Sequence, residues 1–207
     1  MGKTPALQPR KAGTQSRSRE TVKALVEATA RVLVKDGFHS TNTNRIADEA
    51  GVSVGSLYQY FPNKEALVVA VIDRHKSEMM AVLDSTLRTA CSMPLEDAFR
   101  ALVRMMIEAH RVNPRLHRVL VADVPRSGRL GEVETFDRDA YAAIKAFLET
   151  RRREMREMDL DLAAYICVKS TEALVHGAVV DHPEWLADNR VERFVDEATK
   201  LIVGYLR

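Results

Sequence analysis

The stretch from Thr43 to Tyr60 restricts this chain more than any other. It reads TNRIADEAGVSVGSLYQY and holds two short helical patterns on either side of a glycine, the spacing of a helix-turn-helix. Ile46, Ala47 and Ala50 fall on one face of the first pattern, and Val52 and Leu57 can close a small core beneath the turn. Ala47 and Gly51 are small enough for two helices to cross closely, and Gly51 stands where a left-handed residue is cheapest. Thr43 is expected to cap the first helix and Ser53 the second, which runs from Val54 to Tyr60. Pro62 then stops the pattern, and Asn63 caps a longer helix opening with Lys64-Glu65, its glutamate facing the positive helix end.

On either side of this segment the apolar spacing is also helical. Val22, Leu25, Val26, Thr29, Val32 and Leu33 recur at steps of three and four, with Gly37 as the expected stop. Further patterns run from Pro94 to Val112, Pro114 to Val124, Leu130 to Met158, Leu160 to Asp181 and Arg190 to Leu206, with Pro125 and Gly128 in a loop. No strand alternation or repeat interrupts them, so the fold class is all-α. Residues 1–18 carry Lys3, Arg10, Lys11 and Arg17 with almost no apolar content, and read as a basic, flexible arm. The division expected is an arm at 1–18, a helix-turn-helix domain at 19–65 and a larger helical domain at 66–207.

Charge separates the same regions. The net charge of +2 is unremarkable, but the chain up to Lys76 has 12 Lys or Arg against 7 Asp or Glu, whereas the remainder has 19 against 22. The basic excess is therefore local to the first part of the chain. Two cysteines, Cys91 and Cys167, exclude a disulfide framework and a four-thiolate metal site. The opening residues lack the apolar core of a secretory signal, and no apolar run can span a bilayer, so a cytoplasmic protein with no membrane partner is expected.

The chemistry of the second short helix points to nucleic acid. Ser53, Ser56, Tyr58 and Tyr60 offer hydroxyls, Thr43 adds another, and Lys64 adds a charge, a set suited to phosphate oxygens. At the start of that helix, Val54 can meet a thymine methyl and Ser56 can hydrogen-bond either way to a base edge. Arginines of the arm can add minor-groove contacts.

Thr43-Asn44-Arg45-Ile46-Ala47, Ala50-Gly51-Val52-Ser53, Gly55-Ser56-Leu57-Tyr58, Tyr60-Phe61 and Asn63-Lys64-Glu65-Ala66-Leu67 together resemble the tetracycline-repressor family. The resemblance covers residues 20–70. It implies a three-helix DNA-binding domain, a larger domain that binds a ligand and dimerises, and repression relieved by that ligand. Carried over by position, it implies that Thr43, Tyr58 and Lys64 contact phosphates while Asn44, Val54, Gly55 and Ser56 face bases. With valine and glycine among the base-facing residues, operator choice is expected to rest on DNA shape and on Asn44.

Methionines Met79, Met80, Met93, Met105, Met106, Met155 and Met158 all follow the DNA-binding segment and suit a core that adapts to an apolar guest. Expected lining residues are Met80, Leu83, Phe99, Leu102, Met106, His110, Leu120, Phe136, Tyr141, Phe147 and Tyr165. His110, His117, His176 and His182 lack metal-ligand spacing, so neither a metal nor a cofactor is expected. Arg151, Arg152, Arg153 and Arg156 alternate with Glu149, Glu154 and Glu157 and read as a solvated helix face. Leu174, Val175, Ala178 and Val179, with Phe194, Ala198, Leu201, Ile202 and Tyr205, form two apolar stripes expected to pair with a second copy as a four-helix bundle.

The expected partners are thus a double-stranded DNA operator, a second copy of the chain and a largely apolar small molecule. A ligand-independent regulator or activator shares the same motif. An enzyme or carrier with an accessory helix-turn-helix is the competitor from another class, and the chain carries no nucleophile-base pattern or phosphate loop to support it.

Overall fold

A computed structural model describes residues 16–112, 114–120 and 135–207. Its elements are α1 (Ser16–Ser40), α2 (Thr43–Ala50), α3 (Val54–Tyr60), α4 (Lys64–Ala90), α5 (Leu95–Val112), α6 (Pro114–Arg118), α7 (Thr135–Thr150), α8 (Leu160–Val180) and α9 (Arg190–Leu206). Short 3₁₀ turns at Arg152–Glu154 and Pro183–Leu186 follow α7 and α8. Among the described residues there is no strand. Most of the expected arm, and the loop at Pro125 and Gly128, lie outside the described residues.

The described residues fall in two compact units, one within Met1–Lys76 and Arg115–Val133, the other within Ser77–Pro114 and Glu134–Arg207. In the first, Leu25, Leu33, Phe38, Ile46, Leu57, Phe61, Leu67 and Val71 make a buried core. Leu120 joins that core, separately from the other residues expected to line a ligand site. In the second unit α5, α7, α8 and α9 bury two clusters. One contains Leu83, Phe99, Leu102, Phe147, Leu148 and Ile202, and the other Val103, Ile107, Val175, Ala178 and Val195.

The punctuation of the first unit is mostly local. Gly37 leaves the helical path with φ 74° and ψ 169°, but a further helical turn carries α1 to Ser40, so the glycine bends the helix where the spacing predicts a stop. Gly51 ends α2 with φ 68° and ψ 31°, and the Val52 amide donates back to the Ala47 carbonyl at 3.0 Å. Ser53 caps α3 as expected, its hydroxyl accepting from the Ser56 amide at 3.1 Å. Asn63 accepts from the Ala66 amide at 2.8 Å at the start of α4.

Two expectations are corrected. The cap of α2 is Asn42, whose side-chain oxygen accepts from the Arg45 amide at 3.0 Å, so Thr43 is the first helical residue and its hydroxyl is released for another partner. The run from Leu130 to Met158 is not one helix, because α7 ends at Thr150. Arg151 turns back there and donates to the carbonyls of Cys91 at 3.1 Å and Met93 at 2.5 Å, while pairing with Glu154 at 2.7 Å. Arg156 likewise donates to the Tyr205 carbonyl at 3.1 Å. These two arginines close their own fold and are not part of a solvated helix face.

Candidate nucleic-acid interface

The floor of the α2–turn–α3 segment is dry. Ile46, Ala47 and Leu57 are fully buried, and Ala50, Val52, Val54 and Tyr60 pack partly against the same core. Alternation then leaves Asn44, Ser53, Gly55 and Tyr58 exposed, with Thr43 and Ser56 half-exposed. The outward face is therefore made of hydroxyls, an amide and a bare backbone.

These hydroxyls occur in pairs. Thr43 Oγ1 and Tyr58 Oη share a hydrogen bond of 3.1 Å that ties the first turn of α2 to the middle of α3. Ser53 Oγ and Ser56 Oγ lie 2.8 Å apart across the first turn of α3. Such exposed pairs keep the side chains aimed outward and exchange readily for phosphate oxygens or base edges, since each hydroxyl both donates and accepts. Val54 and Tyr60 are less available. The Tyr60 hydroxyl accepts from Ser18 at 3.3 Å, fixing the start of α1 beside the end of α3.

Gly55 has no reason to be glycine within the chain. It lies inside α3, and a Cβ there would meet only Ser53 Oγ, at 3.9 Å. Glycine inside a helix costs about 0.5–1 kcal/mol relative to alanine, so the missing side chain destabilises the fold without relieving any internal clash.

Three cations close to α2 and α3 in sequence or space are engaged at short range. Arg45 pairs with Asp36 at 3.0 Å, and Arg31 with Glu49 at 2.6 Å. Lys64 donates from Nζ to the Phe38 carbonyl at 3.0 Å, and the same ammonium stands 4.4 Å from the Phe38 ring centroid. Asn42, Ser18 and Phe38 are the residues here that the sequence reading missed. The signal for Asn42 was present, since asparagine caps as well as threonine and precedes it by one residue. Nothing local pointed to the other two.

In the second unit the expected ligand-lining residues divide. Leu83, Phe99, Leu102 and Phe147 are buried in one cluster with Met80 and Tyr141 against it, and Met106 packs on the other cluster. His110 is 1% exposed and its Nδ1 lies 2.8 Å from the Met106 carbonyl. Tyr165 is exposed, its ring 5.5 Å from that of Tyr141, and the Phe136 side chain lies outside the described residues. A shallow groove of about 400 Å³ is lined by Met93, Asp97, Arg100, Ala101, Arg104, Met105 and Glu108.

The two expected interface stripes divide in the same way. Val175, Ala178, Ala198 and Ile202 are buried in the chain's own core, whereas Leu174, Val179, Phe194 and Tyr205 are half-exposed and Leu201 is 57% exposed. Leu162, 54% exposed on α8, was not anticipated. A Cβ on Gly177 or Gly204 would meet nothing within 4 Å.

Burial pushes the Cys167 thiol up to about 12, which leaves it protonated and unreactive. Among the described residues no cluster of His, Cys, Asp and Glu is arranged to hold a metal ion, and no helix is long and apolar enough to cross a membrane.

Comparison with known proteins covers both units. Residues 25–71 match the pattern described as bacterial regulatory proteins, tetR family, and residues 94–206, more than half of the chain, match the tetracyclin repressor-like C-terminal domain. The chain is 37% identical over 68 residues to the uncharacterized HTH-type transcriptional regulator YvkB of Bacillus subtilis, covering 33% of this chain and 36% of that protein. It is 29% identical over 133 residues to the HTH-type transcriptional repressor KstR of Mycobacterium tuberculosis, covering 62% of this chain and 60% of that one. These matches thus span between about a third and three fifths of the curated relatives. The fatty acid degradation regulator FadR from Bacillus halodurans has the same fold, with a TM-score of 0.70 at 20% identity over 95% of this chain and 98% of that chain.

Proposed function

This chain belongs to the tetracycline-repressor family of DNA-binding transcriptional regulators, and from that premise we propose that it is a dimeric repressor, released from a palindromic operator by a small, largely apolar ligand. The observation that carries the reading is the outward face of α2 and α3. Thr43 and Tyr58 stand paired and exposed, Asn44 projects beside them, and Gly55 leaves the backbone bare. In this reading the hydroxyls of Thr43, Tyr58 and Ser53 take phosphate oxygens, while Asn44, Ser56 and the edge of Val54 meet bases over Gly55.

The second unit supplies the rest. Gly177 and Gly204 are helical glycines with open space where a side chain would stand, Leu201 and Leu162 are exposed on the same two helices, and Phe194 is half-exposed. Both features suit close approach by α8 and α9 of a second copy, whose two-fold axis matches a palindrome. A core bordered by Met80, Met105, Met106, Met155 and Met158 suits an apolar guest. That guest must bind the DNA-releasing geometry more tightly than the DNA-binding one, or it shifts nothing.

Selection of binding sites from random duplex DNA, followed by fluorescence anisotropy at several salt concentrations, tests this. The expected outcome is a palindrome with half-sites about 10 base pairs apart, centre to centre, or a multiple of that spacing. Failure to enrich or retain any duplex at low salt overturns the reading.

A further inference from the structure

We propose that Lys64 is a positioning residue: it fixes the corner between α1 and α2, and with it Thr43 and Asn44, and does not pair with a DNA phosphate. The inference rests on the DNA-binding reading of the α2–α3 face, and it departs from the phosphate role that the family resemblance assigns to this lysine.

The ammonium of Lys64 already has two partners. Nζ donates to the Phe38 carbonyl at 3.0 Å and lies over the Phe38 ring at 4.4 Å, so a carbonyl dipole and a π face hold one charge from two sides. The side chain is half-buried and Phe38 is 2% exposed. Swinging out to a phosphate would break both contacts. The exposed hydroxyls of Thr43 and Tyr58 give up only each other.

The place of this contact explains its use. At the end of a helix the last carbonyls lack following amides, and α1 is bent there by Gly37. The Thr41 hydroxyl takes the Gly37 carbonyl at 2.7 Å, and Lys64 takes that of Phe38. Only a few residues later Asn42 caps α2, and Thr43 and Asn44 follow directly. The other end of the contact is equally fixed, because Asn63 caps α4 immediately before Lys64. Lys64 therefore ties the first turn of α4 to the chain that delivers the reading residues.

The test uses the full-length chain with Lys64→Met, Lys64→Arg and Phe38→Leu. It combines thermal unfolding without DNA with the slope of log K against log salt on the selected operator. Lys64→Met is expected to lower the unfolding midpoint by about 2–4 °C, to weaken binding about fivefold to tenfold and to relax base preference where Asn44 reads, with the salt slope unchanged. Lys64→Arg, which keeps a donor and a cation over the ring, restores affinity and preference. Phe38→Leu, which removes the ring but keeps the carbonyl, reproduces part of the Lys64→Met loss with the charge in place, and combining the two costs less than their sum, as expected of a shared contact. A salt slope smaller by about one unit in Lys64→Met, or unchanged affinity and preference in Phe38→Leu, overturns the proposal. If the wild-type chain retains no DNA, the DNA-binding reading fails instead. Additive unfolding effects of Lys64→Met and Phe38→Leu would still overturn the corner contact.

Discussion

The outward faces of α2–α3 and of α8–α9 differ in what they leave uncovered. On the first, hydroxyls stand in pairs over a dry floor of Ile46, Ala47 and Leu57, and the nearby arginines and Lys64 are engaged within the chain. On the second, Leu162 and Leu201 leave apolar surface uncovered among exposed charges such as Glu197 and Lys200, and Gly177 and Gly204 have open space where a side chain would stand. A face of paired hydroxyls is satisfied alone yet ready to exchange partners, which suits an equilibrium that must be reversed. An apolar face gains only when covered, by about 25 cal/mol per Å² removed from water, which suits a lasting contact. Under the proposed function the two faces would divide reversible from durable association.

The sharpest way to break this comparison is to remove the floor of the first face. Leu57→Ala deletes a fully buried side chain that joins α3 to the core, and the expected loss is about 2–5 kcal/mol. Operator binding should disappear with it. Trp185, the single tryptophan, lies in the second unit and reports that unit separately. Urea unfolding followed by circular dichroism and by Trp185 fluorescence should therefore separate into an early and a late transition. Coincident transitions would show that the two faces share one stability.

The floor was legible in the sequence because its determinants are local. Apolar spacing placed Ile46, Ala47 and Leu57, and the chemistry of Gly51, Ser53 and Asn63 set the ends of the helices. Thr43 was misread as a cap because Asn42 and Thr43 are both capping residues in adjacent places, and only geometry decides between them. Other features depend on residues far along the chain. The arrest of α7 at Thr150 follows from Arg151 meeting carbonyls at Cys91 and Met93, and the place of Leu120 follows from a core built by α1 to α4. The division of Val175 and Ala178 from Leu174 and Val179 was equally hidden. Hydrophobic spacing marks a stripe without saying which edge of it the chain covers itself.

A smaller effect is expected at the clasp of the second unit. Arg151→Met keeps the bulk of the side chain but leaves the Cys91 and Met93 carbonyls without their donor. The expected cost is about 1–3 kcal/mol, seen in the Trp185 transition, with intrinsic operator contacts untouched. An equal loss in both units would again merge the two regions.

The glycines sharpen the comparison at about 1 kcal/mol. Gly177→Ala and Gly204→Ala should each stabilise the isolated chain by up to about that amount, since neither Cβ meets a neighbour. Sedimentation velocity should show weaker self-association. Gly55→Ala should do the parallel thing on the other face, raising the unfolding midpoint while weakening DNA binding. Unchanged association in both α8–α9 variants would remove the glycines from the apolar contact.

The smallest expected effect concerns the ion pairs that join α5 to α9. Arg104 forks onto both oxygens of Glu192, and Arg100 pairs with Asp196. The hydrogen bond from Arg104, followed by the charges of Arg104 and Arg100, holds the Glu192 carboxyl below its ordinary value. A carboxyl depressed in the folded state contributes stability that is present above its unfolded pKa, near 4.3, and is lost as pH falls through the lower folded value. Glu192→Gln should therefore lower stability slightly and evenly at neutral and alkaline pH and lessen the decline between neutral pH and the acid range. The change should be slight, because exposed pairs are weakened by solvent and salt. Urea titrations of both proteins at matched ionic strength across that range would measure it. A larger acid sensitivity in Glu192→Gln would show that another carboxyl governs this edge of the second unit.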